Sequence, residues 1–329
     1  MLPLCLLVAV VISAGSSHSD ENLRTDENSE RKIDSAAAEA FLRARVMDRK
    51  YLHSFGQTNG FPVRKVENFH DTLPENFDAR EKWPECPSIG YIRDQSNCVS
   101  AWAMVSAGVI GDRACIQSKG RIKKHISDTD ILACCQKDYC SGCEGGYPAA
   151  AFEYAVESGV CSGEHYREKN VCKPYSYHPC GYLRGKPYYG ECPQETYPTP
   201  RCRRKCQIGY NVTYEADKIH GKSVYYLPNN ETEIRREIMT NGPVAAVFIV
   251  YMDLWEYDKG VYEHKTGMEV GEHVVKIIGW GTDEKEKVPY WLVANSWNDV
   301  WGEKGFFRII RGHNHCEIES EIAAVILDV

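Results

Sequence analysis

The sequence predicts an α+β, disulfide-rich protein in which a helical half precedes a half built mainly on antiparallel sheet. Three observations predict this fold class. Residues 98–111 carry no charge, which is typical of a buried helix. Short apolar runs rich in β-branched and aromatic residues follow residue 222, and cysteines are dense between Cys86 and Cys206. The chain has 329 residues, 43% of them hydrophobic, which is enough for one large domain or two of ordinary size.

The helical half is predicted to contain two buried helices. The first spans residues 98–116 and starts near Ser100, a residue type that caps helix N-termini. The second is shorter and spans residues 147–158. Four apolar runs separated by Gly and Pro predict the sheet half, namely residues 273–278, 290–294, 305–310 and 322–326. Between the halves lies a loop rich in Pro, Tyr and Gly, residues 174–200, which is too long for a simple connection.

Composition excludes several classes of protein. The net charge of −7 argues against a general nucleic-acid binder, because such proteins are normally basic. Charged residues make up 26% of the chain and the mean hydropathy is −0.45, values typical of a soluble globular protein. We expect a monomer with no nucleic-acid partner.

The amino terminus predicts secretion. Residues 2–12 form an uncharged apolar run followed by small residues up to Gly15, which is the layout of a signal peptide over residues 1–15. No later stretch reaches the roughly 18 apolar residues that span a bilayer, so we expect no membrane anchor. The expected location is extracellular or a lysosome-like lumen, and sequons at Asn211 and Asn230 fit that route as glycosylation sites.

Residues 16–72 are predicted to be a separable propeptide. They contain no cysteine, and apolar residues recur at helical spacing within residues 36–51. A disordered linker is the alternative interpretation of this segment. Residues 73–329 would then form the functional domain.

The cysteines favour disulfides over a metal site. Cys5 lies in the predicted signal peptide, so 14 of the 15 cysteines would enter an oxidising compartment. Cys140 and Cys143 form a Cys-x2-Cys pair of the kind that binds zinc or iron–sulfur clusters, but no second such pair and no histidine at finger spacing accompanies it. We predict no metal and no cofactor.

Three segments resemble the catalytic motifs of papain-like cysteine peptidases. Residues 93–103 resemble the segment that ends in the nucleophilic Cys followed by Trp. Residues 271–274 resemble the segment with the catalytic His, and residues 295–302 the segment with the Asn. The resemblance implies a papain-like two-domain fold, with a helical left half, an antiparallel β-barrel-like right half and the active-site cleft between them.

The resemblance is closer to the cathepsin B-like branch of that family. Residues 73–80 resemble the start of its mature enzyme, residues 143–148 its substrate-backbone strip and residues 315–321 its carboxyl-terminal signature. The likeness extends over nearly all of residues 73–329. It implies that residues 174–200 are an insertion like the occluding loop of that branch.

The resemblance implies a catalytic group of Gln95, His273 and Asn295, with Ala101 at the position of the nucleophile. Gln95 would donate to an oxyanion, His273 would act as base and then acid, and Asn295 would orient the imidazole. Ala101 has neither a lone pair nor an ionisable proton, and loss of the nucleophile costs on the order of 10⁶ in turnover. Ser100 is the alternative nucleophile, but on a helix it points about 100° away from position 101.

Other cleft residues are implied in the same way. Gly145 and Gly146 would pair with an extended peptide, Trp297 would shield the catalytic pair, and Glu321 would form the acidic floor of a specificity pocket. A core aromatic and a solvated charge are the alternative interpretations of Trp297 and Glu321. No metal ligand is implied at any of these positions.

Three positions depart from the family pattern. Val99 replaces a Gly, which would disfavour a backbone with positive φ. Glu272 replaces the small residue before the catalytic His and would place a carboxylate at the cleft wall. Tyr182 and Leu183 replace the paired His that hold a substrate's terminal carboxylate, so the sequence argues against dipeptide-removing activity.

The resemblance also implies six disulfides and leaves two cysteines over. Cys140 sits one residue later than in the family pattern, so its pair rests on the weakest match. The free residues would be Cys161 and Cys316. The implied pairs are Cys86 with Cys115, Cys98 with Cys143, Cys134 with Cys202, Cys135 with Cys140, Cys172 with Cys206, and Cys180 with Cys192.

Three functions fit these observations. The preferred one is a catalytically inactive homologue that binds peptides, proteins or peptidase inhibitors through the retained cleft. The second is an active cysteine endopeptidase, if Ala101 is an introduced change or another nucleophile acts. The third is a matrix-type structural module. In each case we expect another protease to remove the propeptide near Leu73.

Overall fold

A computed structural model describes residues 38–48, 60–67 and 69–329 of the chain. Contact density divides the chain into residues 1–38 and residues 39–329, and the description below concerns the second unit. The predicted signal peptide and much of the predicted propeptide lie outside the described residues. Of the helical patch predicted over residues 36–51, residues 38–43 are helical, residues 44–48 are not, and the rest lies outside the described residues.

The helical half is organised around one buried helix. After strand β1 (Phe77–Asp78) and helix α1 (Ala79–Lys82), helix α2 runs from Ala101 to Gln117. All but its last two residues are buried, because residues 101–111 carry no charge and the charges of Asp112 and Arg113 are paired inside the protein. Helices α3 (Asp128–Cys134) and α4 (Pro148–Ser158) pack against it.

The sheet half begins after α5 (Tyr214–Asp217) and contains one further helix, α6 (Glu231–Asn241). Its strands pair in the order β2-β8-β3-β5-β6-β7-β4, with β1 added to β5, and the β4–β7 pair alone is parallel. This pairing does not close on itself within the described residues, so the expected barrel-like half is an open sheet. The strands are β2 (Gly221–Tyr226), β3 (Val244–Tyr251), β4 (Val261–Tyr262), β5 (Glu269–Thr282), β6 (Pro289–Ala294), β7 (Phe306–Ile310) and β8 (Glu321–Leu327).

Four short 3₁₀ turns connect these elements. They lie at Pro87–Gly90, Gly142–Glu144, Met252–Glu256 and His315–Glu317. The α+β, papain-like fold class predicted from the sequence is confirmed.

Buried ion pairs attach α2 to the sheet half. Lys276 on β5 donates to Asp112 on α2, with Nζ 2.7 Å from Oδ2. Arg113 on α2 donates to Glu237 on α6 at 2.9 Å. A buried charge without its partner is costly, so each pair fixes the helix against its neighbour.

Six disulfides lie in the structure, and they join the six pairs that the family resemblance implies. Cys161 is a buried free thiol and Cys316 is free and partly buried. Residues 174–200 contain no helix or strand. This insertion is held by the Cys180–Cys192 disulfide and by an ion pair between Lys186 and Asp299, whose Nζ and Oδ2 lie 2.6 Å apart.

No helix in the described part of the chain is both long and apolar enough to cross a bilayer. The two sequons lie at the surface. Asn211 is exposed, and exposed Asn230 is the N-cap of α6, where its side chain accepts from the Glu233 amide at 3.1 Å.

Candidate active site

The first residue of α2 faces the sheet across a cleft. Ala101 is buried and shares the wall of a small cavity with His273 of β5. The disulfide between Cys98 and Cys143 and the hydrogen bond from the Val99 amide to the Cys143 carbonyl fix the chain just before the helix. A helix N-terminus in this position stabilises negative charge, which is the environment a thiolate needs. Position 101 offers only a methyl group.

Ser100 occupies the N-cap position of α2 but does not cap it. Its side chain makes no capping hydrogen bond, contrary to the expectation from residue type. The hydroxyl instead shares a hydrogen bond with the Tyr175 hydroxyl at 2.8 Å. Tyr175 in turn donates to the Gln95 carbonyl, so the Ser100 hydroxyl is part of a buried network away from His273.

His273 and Asn295 form a buried pair on neighbouring strands. His273 lies on β5 and Asn295 directly follows β6, and the imidazole Nε2 is 2.8 Å from the Asn295 Oδ1. Asn295 Oδ1 also accepts from the Ser296 amide, so Nε2 carries the imidazole hydrogen. His273 Nδ1 is buried, and the Arg45 carbonyl lies near the imidazole.

Burial decides the charge of His273. Desolvation lowers the pKa of the imidazole to about 4, although the hydrogen bond to Asn295 and the nearby Arg45 carbonyl favour the charged form. A thiolate at position 101 would oppose this shift, because an anion stabilises the imidazolium. With Ala101 in place, His273 is neutral at pH 7.

Gln95 holds an amide donor over the same cleft. Its Oε1 accepts from the Ser296 hydroxyl at 2.9 Å, and its backbone amide donates to the Ser296 carbonyl. These contacts direct Nε2 inward, where it donates to the backbone carbonyls of Cys98 and Arg45, both at 2.9 Å. Gln95 therefore already donates to a peptide carbonyl, which is what an oxyanion donor must do.

The Arg45 carbonyl belongs to residues 39–48, which we call the cleft segment. Met47 pairs in antiparallel fashion with Glu272, with its amide 2.8 Å from the Glu272 carbonyl and its carbonyl 2.9 Å from the Glu272 amide. The space left among Met47, Ala101 and His273 is about 10 Å³, at the lower limit for one water molecule. The chain thus fills its own cleft.

Arg45 of the cleft segment contacts the insertion. The Arg45 guanidinium is buried, with Nη2 3.8 Å from Cys192 Sγ and 4.0 Å from Cys180 Sγ. It also lies 3.7 Å from the centre of the Phe41 ring. Burial lowers the pKa of Arg45 to about 10, while nearby Asp94 opposes the shift.

Trp297 lies beside the His–Asn pair. Its ring centre is 4.9 Å from that of His273, and it is buried. Phe41 of the cleft segment makes an edge contact with it at 5.6 Å. The tryptophan therefore excludes water from the imidazole and also contributes to the surface on which the segment packs.

The two glycines of the predicted substrate strip play different roles. A Cβ on Gly145 would lie 2.5 Å from Met47 Sδ, so this glycine makes room for the cleft segment. A Cβ on Gly146 would lie 2.6 Å from the Trp102 ring, so Gly146 permits helix packing. The observed backbone pairing of the segment is with Glu272 on the opposite wall.

The departures at positions 99 and 272 have different consequences. Val99 is not among the residues of positive φ, so the expected backbone strain is not present. Its side chain lines the cleft next to Met47. Glu272 also lines the cleft, and its charge acts on Glu321.

Glu321 lies at the start of β8, opposite Val247 of β3. It is partly buried and hydrogen bonds to Tyr226. Desolvation, with a smaller contribution from the Glu272 charge, raises the pKa of Glu321 to about 7. The carboxylates of Glu272 and Glu321 therefore stand on β5 and β8, the two strands that flank β3.

The insertion carries no cation at the positions of the expected paired His. Tyr182 is 82% exposed, so its ring points into solvent rather than into the cleft. Asn97 fixes the far end of the insertion, donating from Nδ2 to the carbonyls of Pro193 and Glu195 at 2.9 and 2.7 Å.

Among the residues that the structure describes, two clusters have donor atoms close enough for a metal ion. One contains Cys161, Cys172 and Asp217, but Cys172 is disulfide-bonded and offers no thiolate. The other consists of Glu164, His165 and Glu168 at the surface, where exposed carboxylates are common without an ion. Neither cluster includes a cleft residue.

Sequence reasoning missed the cleft segment as part of the site. Arg45 and Met47 contact the cleft through their backbone, and backbone pairing leaves no pattern of side chains. The one available signal was the helical patch with Phe41, which packs on Trp297.

Comparisons with known proteins show the family of this chain. Residues 73–326 match the family described as papain family cysteine protease. The chain therefore belongs to the papain family of cysteine proteases, and within it to the cathepsin B-like proteins. Cathepsin B-like cysteine proteinase 4 of Caenorhabditis elegans is 50% identical over 262 residues, which are 79% of this chain and 77% of that protein. Cathepsin B-like cysteine proteinase 1 of Ostertagia ostertagi is 44% identical over 290 residues, 86% of this chain and 82% of that protein.

A solved structure shows the same likeness. Procathepsin B S9 from Trypanosoma congolense is 34% identical and superposes with a TM-score of 0.74, covering 88% of this chain and 89% of that one. The proform of the ragweed pollen protease Amb a 11 has a TM-score of 0.64 at 20% identity, which is a likeness of fold alone.

Proposed function

We propose that this chain is a catalytically silent cathepsin B-like homologue that binds peptides or proteins through its cleft. One observation carries the proposal. The methyl group of Ala101 stands at the start of α2, where the family resemblance implies the nucleophile, and it shares a small cavity with the buried imidazole of His273. Without an attacking sulfur, the polarising groups around the cleft can bind a carbonyl but cannot cleave it.

The remaining groups support binding. Gln95, His273 and Asn295 would keep the family geometry without turnover, since Gln95 already donates to the Arg45 carbonyl. Gly145 and Trp297 accommodate a side chain on either side of the bound backbone. The pKa of Glu321 is about 7. Above that pH its ionised carboxylate would favour a basic or hydrogen-bonding side chain of the ligand, and below it the protonated carboxyl group would favour a neutral one.

The contacts of the cleft segment indicate that the ligand is a peptide. It is held by two backbone hydrogen bonds to Glu272 and one from Gln95, contacts that any extended peptide can make.

We propose that residues 1–15 are a signal peptide and residues 16–72 a propeptide that another protease removes near Leu73. Removal would expose the cleft to peptides, proteins or peptidase inhibitors outside the cell or in a lysosome-like lumen.

Incubation of the processed protein with fluorogenic dipeptide substrates tests whether the chain lacks peptidase activity. The natural chain should show no turnover, and Ala101→Cys should gain it. Ala103→Cys is the matched control, because it adds a thiol two residues further along the same buried helix. Turnover by the natural chain would refute silence and favour an active endopeptidase.

A labelled peptide with the sequence of residues 39–48 tests binding. It should bind the processed natural chain and be displaced by peptides with a basic side chain. Gly145→Ala should weaken it, because the added Cβ meets Met47. If Ala101→Cys gains turnover but no peptide binds the natural chain, the protein is a structural module rather than a binder.

A further inference from the structure

A large cavity lies between the insertion and the rest of the protein. Its volume is about 710 Å³, within the range of roughly 300–1,000 Å³ that small-molecule sites occupy. Lys186 and Tyr189 of the insertion line it, together with residues 90–94 of the helical half and Phe306 of the sheet half. It shares no lining residue with the small cavity of Ala101 and His273. We call it the insertion cavity.

Six aromatic side chains line the insertion cavity. The ring of Tyr189 is 39% exposed and stands edge-on to the ring of Tyr166, with the ring centres 5.8 Å apart. Aromatic faces of this kind offer a flat, electron-rich surface on which the C–H groups of a ligand can pack. The six side chains are Tyr91, Tyr166, Tyr175, Tyr177, Tyr189 and Phe306.

The outer wall of the insertion cavity is fixed at both sides. The Cys180–Cys192 disulfide closes the insertion on itself. The ion pair between Lys186 and Asp299, with Nζ and Oδ2 2.6 Å apart, joins the insertion to the sheet half within the lining. The wall is therefore in place before a ligand arrives, which lowers the entropy cost of binding.

The formal charges of the lining balance. Arg93 pairs with Asp128 at 2.6 Å, and Lys186 pairs with Asp299. A ligand of high net charge would lose its hydration here without gaining a net countercharge. Apart from His165, the charged side chains of the lining are three cations and three carboxylates, namely Arg93, Lys186, Lys304, Asp94, Asp128 and Asp299.

The lining also has capacity for hydrogen bonds to a ligand. Asp94 accepts from the Ser96 amide at 2.7 Å and from Asn298 Nδ2 at 2.9 Å. A carboxylate has about four lone-pair sites, so Asp94 retains acceptor capacity. Exposed Lys304 brings an ammonium donor to the same lining. A purely apolar ligand would remove water from these groups without replacing its hydrogen bonds.

We propose that the insertion cavity binds a short neutral oligosaccharide. A pyranose ring has a face of C–H groups and a rim of hydroxyls, so it can pack on a tyrosine while its hydroxyls bond to carboxylate, amide and ammonium groups. A nucleotide would also stack, but its phosphate has no excess of cations to meet in this lining. The site is separate from Ala101 and His273, so this binding goes beyond the function proposed above and does not depend on it.

Titration calorimetry with four neutral trisaccharides, namely maltotriose, cellotriose, mannotriose and chitotriose, tests the proposal. The full chain is produced by a eukaryotic cell, and its N-linked glycans are removed enzymatically so that they do not compete. At least one trisaccharide should bind the natural chain. Tyr189→Ala should weaken that binding by about tenfold or more, and the control Tyr182→Ala should change it by less than about twofold. Tyr182 lies in the same insertion, is 82% exposed and does not line the cavity.

Charged and peptide probes complete the test. Trigalacturonate, adenosine monophosphate and the peptide of residues 39–48 should each bind the insertion cavity more weakly than the best trisaccharide. Absence of binding by all four trisaccharides, equal losses in the two tyrosine variants, or tighter Tyr189-dependent binding of any of these three probes would overturn the proposal. Near-ultraviolet circular dichroism checks that the variants are folded. Lys304→Gln, which removes an exposed donor from the lining and should also weaken binding, replaces Tyr189→Ala if that variant is not folded. None of these readouts involves turnover by Ala101→Cys, so failure here leaves the proposal for the cleft standing.

Discussion

Met47 and Glu272 exchange two backbone hydrogen bonds, at 2.8 and 2.9 Å. Through this antiparallel bridge the cleft segment pairs with β5, the strand that forms this wall of the cleft. Glu272 immediately precedes His273 on β5. The pairing therefore places the backbone of residues 45–47 over the His–Asn pair, where an external peptide would otherwise lie.

Gly271→Ala should expel the cleft segment. A Cβ at this position would lie 2.2 Å from the Met47 carbonyl oxygen, a backbone atom that cannot yield. Amide hydrogen exchange should show loss of protection at Met47. Gly260→Ala is the control, because Gly260 also has positive φ but open space around it. Retained protection in Gly271→Ala would show that the pairing tolerates the contact.

His273 should titrate near pH 4 in the natural chain. Its folded pKa is lowered from 6.5 to about 4, so the unfolded chain binds the proton more readily. Stability contributed by the neutral imidazole is present above pH 6.5 and is lost as pH falls towards 4, by up to about 3 kcal/mol. Nuclear magnetic resonance of the imidazole carbons measures the pKa directly. In Ala101→Cys the titration should move upward, and an unchanged value would contradict the predicted coupling.

Glu321→Gln should stabilise the protein at alkaline pH. The folded pKa of Glu321 is raised from 4.5 to about 7, so ionisation is harder in the folded state. The natural chain should lose up to about 3 kcal/mol as pH rises from 4.5 to above 7, and the glutamine variant should not. Urea unfolding at pH 4 and pH 8 measures the difference. Glu284→Gln, at an exposed carboxylate, should leave the pH dependence unchanged.

Asp112→Ala should be strongly destabilising. It leaves the buried Lys276 ammonium without its partner at 2.7 Å, which typically costs about 3–5 kcal/mol. Glu215→Ala removes an exposed carboxylate from its ion pair with Lys218 and should cost under about 1 kcal/mol. Urea midpoints compare the two variants. Similar losses in both would mean that water reaches Lys276.

Ser100→Ala should leave the activity gained by Ala101→Cys within about twofold. The Ser100 hydroxyl is hydrogen bonded to the Tyr175 hydroxyl at 2.8 Å, so we expect no nucleophilic role for it. His273→Ala in the same background should reduce turnover by a factor of about 10³ or more, because the base is lost. Steady-state kinetics with one fluorogenic dipeptide measures both. A loss of activity in Ser100→Ala comparable to that in His273→Ala would assign the attack to Ser100.

The sequence predicted the elements with the strongest local signals. The uncharged run before Asp112 became α2, and the apolar runs at residues 290–294 and 305–310 correspond to β6 and β7. These signals are strong because burial on both faces removes charge from the sequence itself. The resemblance supplied the disulfide pairs, since cysteine spacing alone does not determine pairing.

Other elements were missed because their residues carry competing signals. Helix α6 begins at Asn230 with Glu233 three residues on, a cap pattern that was interpreted only as a glycosylation sequon. Its Ile234 and Ile238 are the buried face that completes the helical signal. Ser100 was expected to cap α2, but tertiary contact with Tyr175 takes its hydroxyl instead.

Long-range backbone pairing lies beyond such analysis. Met47 and Glu272 are far apart in sequence, and their side chains do not specify the contact. The open edge of the sheet is likewise decided by which strands meet in space rather than by any one strand. Neither relationship has a periodic signature.

Covalent attachment gives the cleft segment an advantage over every free competitor. A tethered occupant acts at an effective concentration in the millimolar range, whatever the dilution of the protein. A soluble peptide with equal intrinsic affinity would therefore have to reach millimolar levels to displace Met47 and its neighbours. In the function proposed here, cutting the tether, rather than supplying more competitor, is therefore the step that we expect to open the site to outside molecules.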